Sequence, residues 1–503
     1  MRKKTLIAFS LLLVSVPYII GWFVQGPDAY FSGLILNPID GYSYFAKMYQ
    51  GYSGEWLFRL SFTADPGKPA FLFEFYILLG QLSRLLNLSI PIVYHLTRLL
   101  SFVFVIVELD KFIHRNIRLQ GISENWVLAF VIFGSGMGWI GLLGGYESAD
   151  LLVAEGYIFY SALLNPHFIL GMATMLYLLN IYLEDTEKYH WTKLIVGSAL
   201  LAIIMPFGSV ILCSLFSVYW IINGAVNNPE KLKNLFYIGI PAVLLVGFQY
   251  GETISHTQLR LWNQQNITTS PPLWDVLLSF APMIIFAFYS FRNWKNNWGN
   301  IGYKIAVIWF IICFGMLLIP FELQRRFMFS LAIPVTLIGL YGLDDVLGRV
   351  KREELIKKVV FSIPIISIIF LFLIMGFSIL NRSEFSFISR SEFDAYQWIK
   401  EDVNTKSVIL SDEKYAIKIP GFTGHNVFYG HPFETIDAAR KKADLEMLLT
   451  CQDKFANHIN DYSIEENLDM ILLAQEVYKE ASCLHEYEII NTNSDFILIK
   501  VRE

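Results

Sequence analysis

Apolar runs long enough to cross a bilayer recur along most of the chain, and this recurrence limits its fold more than any other feature. An α-helix needs about 20 apolar residues to cross the hydrocarbon core of a membrane. Hydrophobic residues make up 54% of the 503 residues, and the mean hydropathy of +0.46 lies outside the range usual for soluble domains. The sequence therefore predicts a polytopic α-helical membrane protein.

The hydropathy pattern predicts about eleven spans. They lie near 5–24, 92–111, 125–143, 166–183, 192–206, 208–224, 233–250, 273–291, 303–320, 327–345 and 358–380. The fifth and sixth could instead be one broken helix. Arg2, Lys3 and Lys4 precede the first span and no small-residue cleavage site follows it, which predicts an uncleaved span with a cytoplasmic N-terminus. An odd number of spans places the C-terminus outside.

A further apolar helix, at 70–88, is expected to lie in the outer membrane interface rather than to span. It carries Glu74, Gln81 and Arg84, and a charge at the bilayer centre costs at least ~2.5 kcal/mol. If this helix spanned, the cations after the next run, such as Arg115, would lie outside, against the positive-inside rule. Its polar residues are therefore available to a site at the outer face.

A change in composition near residue 381 predicts two domains. Residues 1–381 would form the transmembrane domain, and residues 382–503 a small extracytoplasmic α/β domain. The predicted elements of the second are helices 392–402 and 435–449 and strands 407–411, 426–429, 469–474, 486–491 and 495–501. Cys451 and Cys483 fall in this domain, where a disulfide between them is one interpretation.

The charge distribution favours chemistry at the outer leaflet. A net charge of -5 without a long basic block gives no indication of a nucleic-acid partner, and the four cysteines lack metal-ligand spacing. The span interiors carry few charges, so ionisable residues collect at the outer ends of the spans. Transporters, in contrast, usually carry charged or broken-helix sites near mid-membrane.

Asp40 is the principal candidate for catalysis, and two interpretations of it stay open. It could cap a helix that starts near Tyr42, because an Asp in that position accepts backbone N–H groups. It could also act as a general base at the membrane surface. Asp65 and Glu147, in outer loops, could serve as a second acid, as the base or as a metal ligand.

His167 is a candidate because its neighbours have structural roles that it lacks. Asn165 and Pro166 fit the cap and the first turn of a helix. No comparable role is evident for His167.

Arg325 and Arg326 lie between two apolar spans on the predicted outer side, against the orientation rule. One interpretation is bidentate binding of a phosphate at the level of the lipid headgroups. The other is pairing with Glu322 or with anionic lipids. Both stay open.

Residues of the first outer segment carry a resemblance to a known family. They are Asp40 with Tyr44, Ala46 and Gly51, the turn at 54–56, Lys68 before Pro69, and Arg98 at the start of the second span. Together they resemble the GT-C superfamily of membrane glycosyltransferases, which includes protein O-mannosyltransferases and bacterial aminoarabinose transferases. The resemblance covers residues 1–115 by motif and the whole chain by architecture: an acid in the first outer loop, juxtamembrane helices and an outer C-terminal domain.

The chain departs from the superfamily pattern in two places. Asp40 is a single acid where some members have an acidic pair, and one proline follows Lys68 where many members have two. The first departure leaves open the need for a divalent cation such as Mg²⁺ or Mn²⁺.

The run 429–434, which reads Tyr-Gly-His-Pro-Phe-Glu, resembles a signature of a bacterial or archaeal subgroup without a known activity. Its other interpretation is a Gly-Pro turn that caps a helix at Thr435.

The resemblance implies an inverting hexosyl- or pentosyltransferase in a prokaryotic plasma membrane. It would move a sugar from a polyprenyl-phosphate carrier to a lipid, glycan or protein acceptor at the outer face. Asp40 would be the base, and the substrate and its phosphate would meet Tyr44, Lys68, Arg98, His167, Arg325 and Arg326. The alternatives are a lipid or sugar transporter or flippase without glycosyl transfer, and a non-catalytic membrane scaffold.

Overall fold

The computed structural model describes residues 3–184, 190–223, 229–320, 322–402, 407–451, 463 and 466–501. Contacts group the chain into two compact units. The helical unit comprises Met1–Pro17, His95–Phe248 and Thr268–Gly376, and the mixed unit comprises Tyr18–Tyr94, Gln249–Ile267 and Phe377–Glu503. The predicted domain boundary at residue 381 stays a prediction, and Arg2 and the last two residues of the predicted outer domain lie outside the described residues.

Several helices are long and apolar enough to cross a membrane, which supports an integral membrane protein. Among the described residues five meet this criterion: Lys3–Val24, Ile90–Asn116, Pro166–Leu183, Glu230–Ser255 and Glu353–Leu380. The pair Leu273–Ser279 and Met283–Asn297, bent by 95°, would make a sixth. Shorter apolar helices are His190–Ile204, Pro206–Ile222 and Ile301–Met316. The predicted count of about eleven spans stays a prediction.

The remaining segments of the helical unit are short except for Ala332–Leu347. The α-helices are Glu124–Ile132, Trp139–Leu142, Ala149–Leu152, Ile158–Leu164 and Trp294–Asn297, and the 3-10 turns are Ala154–Gly156, Phe291–Asn293 and Gln324–Met328. The helix Pro166–Leu183 begins after Asn165 with Pro166 in its first turn, as predicted.

The prediction of one helix over 125–143 is wrong, because the helix ends at Ile132. The amides of Gly136 and Gly138 donate to the carboxylate of Asp150, at 3.1 and 3.2 Å, instead of continuing a helix. A Cβ atom on Gly138 would lie 1.6 Å from that carboxylate, so glycine is required for this approach. A loop and the short helix Trp139–Leu142 thus replace the second half of the predicted span.

The span predicted near 273–291 is likewise not one continuous helix. The chain forms Leu273–Ser279 and Met283–Ser290, and Pro282 lies between them. Proline has no backbone N–H to donate within a helix, which accounts for the break.

The mixed unit combines helices with two sheets. Its α-helices are Pro38–Tyr52, Glu74–Leu86, Thr257–Gln265, Arg390–Asp402, Glu413–Ala416, Ile419–Thr423, Ala438–Leu449 and Gln475–Glu480, and Ser482–Leu484 is a 3-10 turn. Ala29–Phe31 pairs antiparallel with Phe387–Ser389, so the segment that follows the first helix and the start of the C-terminal segment share a sheet.

The larger sheet confirms a small α/β arrangement in the C-terminal segment. Its strands lie in the order Asn426–Val427, Val408–Ser411, Met470–Ala474, Phe496–Lys500 and Glu488–Thr492. The first three are parallel, and the last two complete it with antiparallel pairs. Leu410, Leu445, Ile471 and Ile499 form part of its buried core. The disulfide between Cys451 and Cys483 is present.

The helices Pro38–Tyr52 and Glu74–Leu86 approach each other closely at two glycines. A Cβ atom on Gly51 would lie 2.0 Å from the carbonyl oxygen of Ile77, and one on Gly80 would lie 1.9 Å from that of Met48. Any larger residue would separate the two backbones. This close crossing fixes the helix that carries Asp40.

Candidate active site

Asp40 lies in the first turn of the helix Pro38–Tyr52, called here the Asp40 helix. The helix begins at Pro38, because proline suits the first helical position, and Asn37 occupies the cap position. The interpretation of Asp40 as the cap of a helix near Tyr42 is therefore wrong. The Asn37 Nδ2 group donates to Asp40 Oδ2 at 2.6 Å, and a carboxylate in a first turn is favoured by the helix dipole.

The carboxylate of Asp40 faces both solvent and a buried histidine. Its side chain is 40% exposed, and Oδ1 lies 3.6 Å from Nε2 of His431, whose side chain is 3% exposed. His431 belongs to the run 429–434. That run therefore does more than turn the chain, because it places a titratable ring beside the principal candidate for the base.

A buried ion pair ties the same run to the Asp40 helix. Lys47 Nζ lies 2.7 Å from Glu434 Oε1, and the two side chains are 1% and 12% exposed. Ser43 also donates to this carboxylate. Burial opposes ionisation of Glu434, but the charge of Lys47 and the hydrogen bonds from Lys47 and Ser43 outweigh it and hold the pKa of Glu434 below its usual value.

One face of the Tyr44 ring is covered by the ring of Tyr76. It stacks on Tyr76 with ring centroids 4.5 Å apart and planes 10° apart.

Glu74, at the start of the adjoining helix, is 6% exposed, and its Oε1 atom has no hydrogen-bond partner among the described residues. Burial raises the pKa of Glu74 to about 7.

Lys68 and Asp65 lie at the surface of the mixed unit. Asp65 accepts hydrogen bonds from Gln258 Nε2 at 2.8 Å and from the backbone amide of Gly67 at 3.2 Å. The loop that carries Lys68 is thereby held to the helix Thr257–Gln265, while the ammonium group remains exposed.

Arg325 and Arg326 lie in the 3-10 turn Gln324–Met328 of the helical unit. Arg326 Nη1 binds Oε1 of Glu155 at 3.1 Å, and the Glu155 side chain is 5% exposed. The Nε atom of Arg325 is buried and has no hydrogen-bond partner among the described residues. Arg325 therefore has hydrogen-bonding capacity that the described part of the protein does not use.

Arg98 is packed inside the helical unit. It is 1% exposed, and its guanidinium donates to the backbone carbonyls of Val14 and Ala162 and to Nδ1 of His95. These bonds satisfy much of its donor capacity. They make Arg98 a weaker candidate for a phosphate than Arg325.

His167 and Glu147 differ in exposure. His167 is half-buried, and its ring centroid lies 4.0 Å from that of Phe168. Glu147 is exposed. The same loop contains the buried Asp150, whose pKa is raised by burial, while hydrogen bonds from Ser367, Ser148 and two glycine amides lower it. The Asp150 carboxylate thus accepts hydrogen bonds from both hydroxyls and backbone amides.

The described residues contain no group of three or more His, Cys, Asp or Glu side chains placed to hold a metal ion. The donor set for a divalent cation is thus not assembled within the described part of the chain.

Solved structures of two other proteins share this fold over most of the chain. ArnT from Cupriavidus metallidurans bound to undecaprenyl phosphate matches with a TM-score of 0.52 at 11% identity, covering 100% of this chain and 99% of that one. Its apo state gives 0.51 at 11% identity, with 98% of each chain covered. The chain has the fold of these structures. The archaeal oligosaccharyltransferase AglB from Archaeoglobus fulgidus, in complex with an inhibitory peptide and a dolichol-phosphate, matches with 0.50 at 10% identity over 93% of this chain and 70% of that one.

The predicted resemblance to the GT-C superfamily is therefore confirmed as a likeness of fold. No protein-family model and no curated protein matches the sequence. At these identities the GT-C fold transfers no residue roles.

Sequence reasoning missed three partners that these contacts reveal. They are His431 beside Asp40, Glu434 with Lys47, and Glu155 with Arg326. The sequence shows only that the run 429–434 contains titratable residues and that Glu155 lies in a predicted outer loop. It does not predict which distant residue each of these side chains contacts.

Proposed function

We propose that the protein is an inverting glycosyltransferase that moves a sugar from a polyprenyl-phosphate carrier to an acceptor at the outer face of a prokaryotic plasma membrane. The observation that carries the proposal is Asp40, a carboxylate that is 40% exposed and lies in the first turn of a helix within a GT-C fold. The matched structures are described with undecaprenyl phosphate and with dolichol-phosphate, which supports a lipid-linked donor.

In the proposed reaction Asp40 is the general base. Its carboxylate takes the proton from an acceptor hydroxyl or amine while the acceptor atom bonds to the anomeric carbon of the sugar. The bond from that carbon to the phosphate oxygen breaks, and its electron pair stays on the oxygen, so that polyprenyl phosphate leaves. Attack from the face opposite the phosphate inverts the configuration. Asp40 then releases the proton to solvent.

Arg325 is the proposed principal phosphate ligand, with Arg326 beside it. A guanidinium stabilises charge that develops on a leaving phosphate, and Arg325 has an unused buried donor, whereas Arg326 shares its charge with Glu155. Lys68, His167 and Arg98 are proposed as secondary contacts, and Tyr44 as a contact of the sugar. Asp65 and Glu147 stay alternatives for a second acid.

The proposed topology has about eleven spans. The N-terminus would be cytoplasmic, residues 1–381 would form the membrane domain and residues 382–503 would lie outside. The acceptor would be a lipid, glycan or protein, and a need for Mg²⁺ or Mn²⁺ would be established by adding and removing the ion in the assay.

The proposal is tested with purified protein in proteoliposomes and a panel of undecaprenyl-phosphate-linked hexoses and pentoses. We expect release of undecaprenyl phosphate from at least one donor, with transfer or hydrolysis that inverts the anomeric centre. Movement of an intact lipid-linked sugar across the bilayer without cleavage would contradict the proposal and favour a transporter or flippase.

A further inference from the structure

The turn that contains His431 fixes which nitrogen of the imidazole carries the proton. The backbone amides of Phe433 and Glu434 donate to Nδ1 at 3.1 and 3.3 Å. A nitrogen that accepts two hydrogen bonds is the unprotonated one, so the ring N–H lies on Nε2. The Thr435 hydroxyl oxygen accepts the amides of Gly430 and His431, at 3.4 and 3.3 Å, which holds the turn around the ring.

The Nε2 atom of His431 faces Asp40 and has no hydrogen-bond partner among the described residues. The distance of 3.6 Å to Asp40 Oδ1 exceeds a normal hydrogen bond, and a shift of roughly 0.7 Å would bring the pair to the usual length. A buried N–H without a partner is unfavourable, and catalytic hydrogen bonds are often long before substrate binds. Both facts favour closure of this contact in the working enzyme.

A hydrogen bond from His431 would add a donor to Oδ1 of the Asp40 carboxylate. Asn37 donates to Oδ2, so that both oxygens would be oriented by side-chain donors. Donors to the charged form favour it. The titratable groups that face the pair are Glu434 beside His431, Lys47 paired with Glu434, and the phenol of Tyr76.

We propose that His431 is a positioning residue that donates through Nε2 to Asp40 during the reaction, so that the C-terminal segment supplies a side chain to the reaction centre. The inference rests on the proposed function, in which Asp40 is the base. It also gives the C-terminal domain a role in turnover that is separate from folding.

The test compares His431→Phe and His431→Gln in the donor assay across pH. His431→Phe removes the donor, and we expect kcat to fall roughly ten-fold, the effect of losing one hydrogen bond to a charged group, with little change in KM. The acid limb of the pH profile should move to higher pH, because the carboxylate loses a group that stabilises its charged form. His431→Gln retains a donor and should restore both quantities towards the wild type.

His485→Phe is the matched control. His485 is exposed in the same domain and its Nε2 lies 2.8 Å from the Tyr478 carbonyl oxygen, so its loss should leave kcat and the acid limb unchanged. A His431→Phe variant that melts earlier but keeps the wild-type kcat and acid limb would overturn the inference. Wild-type turnover by Asp40→Asn would instead refute the proposed role of Asp40 itself.

Nitrogen-15 NMR of histidine-labelled protein in nanodiscs tests the inference independently of activity and of how well His431→Phe folds. We expect the His431 ring to carry its proton on Nε2, and the Nε2 signal to move in Asp40→Asn. A proton on Nδ1, or a signal indifferent to Asp40, would overturn the proposal.

Discussion

Lys47 and Glu434 show how strongly single residues join distant parts of the chain. They are 387 residues apart in sequence and form a buried ion pair at 2.7 Å. Breaking such a pair leaves an unpaired buried charge, whereas replacing both partners by apolar residues is often neutral. We therefore expect the loss of one partner to destabilise the protein more than the replacement of both.

Glu434→Gln is expected to destabilise the protein by about 3–5 kcal/mol, because Lys47 stays buried without its partner. Thermal unfolding in detergent should show a large fall in midpoint for this variant and recovery in Lys47→Met/Glu434→Leu. Since the pKa of Glu434 is lowered in the folded protein, the pair's contribution should be complete at neutral pH and be lost as the pH falls below the usual range for a glutamate. A midpoint unaffected by Glu434→Gln would show that the pair contributes nothing.

Arg325→Ala is expected to weaken binding of undecaprenyl phosphate by about 10- to 100-fold, the usual cost of losing a charge-assisted contact. Titration of the purified protein with this lipid measures it. Arg352→Ala, at an exposed arginine, is the matched control and should bind as the wild type does. Arg326→Ala also leaves Glu155 buried without its partner, so its loss of affinity should be accompanied by a loss of stability. Equal affinity for Arg325→Ala and wild type would exclude the proposed phosphate contact.

At the scale of elements, the crossing of the helices Pro38–Tyr52 and Glu74–Leu86 depends on glycine. Gly80→Ala should cost about 1–3 kcal/mol by overpacking, because its Cβ would meet the carbonyl oxygen of Met48 at 1.9 Å. Gly247→Ala is the control: its Cβ meets no atom within 4 Å, and alanine favours a helix. Thermal midpoints that fall equally in both variants would contradict this account of the crossing.

Elements whose character is set by local sequence could be predicted, and elements set by distant contacts could not. The strands at Val408–Ser411, Met470–Ala474 and Phe496–Lys500 follow from short apolar runs bounded by polar turns. The loop that follows the helix end at Ile132 is held by Asp150, which accepts hydrogen bonds from the amides of Gly136 and Gly138. Hydropathy alone does not show this distant contact.

The same limit applies to the candidate site. Asp40 and the two arginines could be found because their charge is unusual beside apolar runs. The contact of Asp40 with His431 joins residues near opposite ends of the chain, and periodicity carries no information on such a pair. The helix start at Pro38 can be predicted from the sequence, because proline favours the first turn of a helix.

At the scale of the whole molecule, the proposed orientation places the C-terminal segment outside the cell. A cysteine introduced at the exposed Lys479 should react with a membrane-impermeant maleimide in intact cells, and one at the exposed Arg352 should react only after the membrane is opened. Labelling with the opposite pattern would reverse the proposed topology.

The central claim is that Asp40 is the base of a glycosyl transfer, and turnover by Asp40→Asn tests it most directly. The release of undecaprenyl phosphate from a lipid-linked sugar is measured for the wild type, for Asp40→Asn and for the control Asp28→Asn, which changes an exposed acid of the same unit. Asp65→Asn and Glu147→Gln are measured in parallel as the remaining acidic candidates. We predict that Asp40→Asn binds undecaprenyl phosphate as the wild type does and loses about 10²- to 10⁴-fold in kcat, while Asp28→Asn is unchanged. Wild-type turnover by Asp40→Asn, with activity abolished in Asp65→Asn or Glu147→Gln, would contradict the assignment of the base.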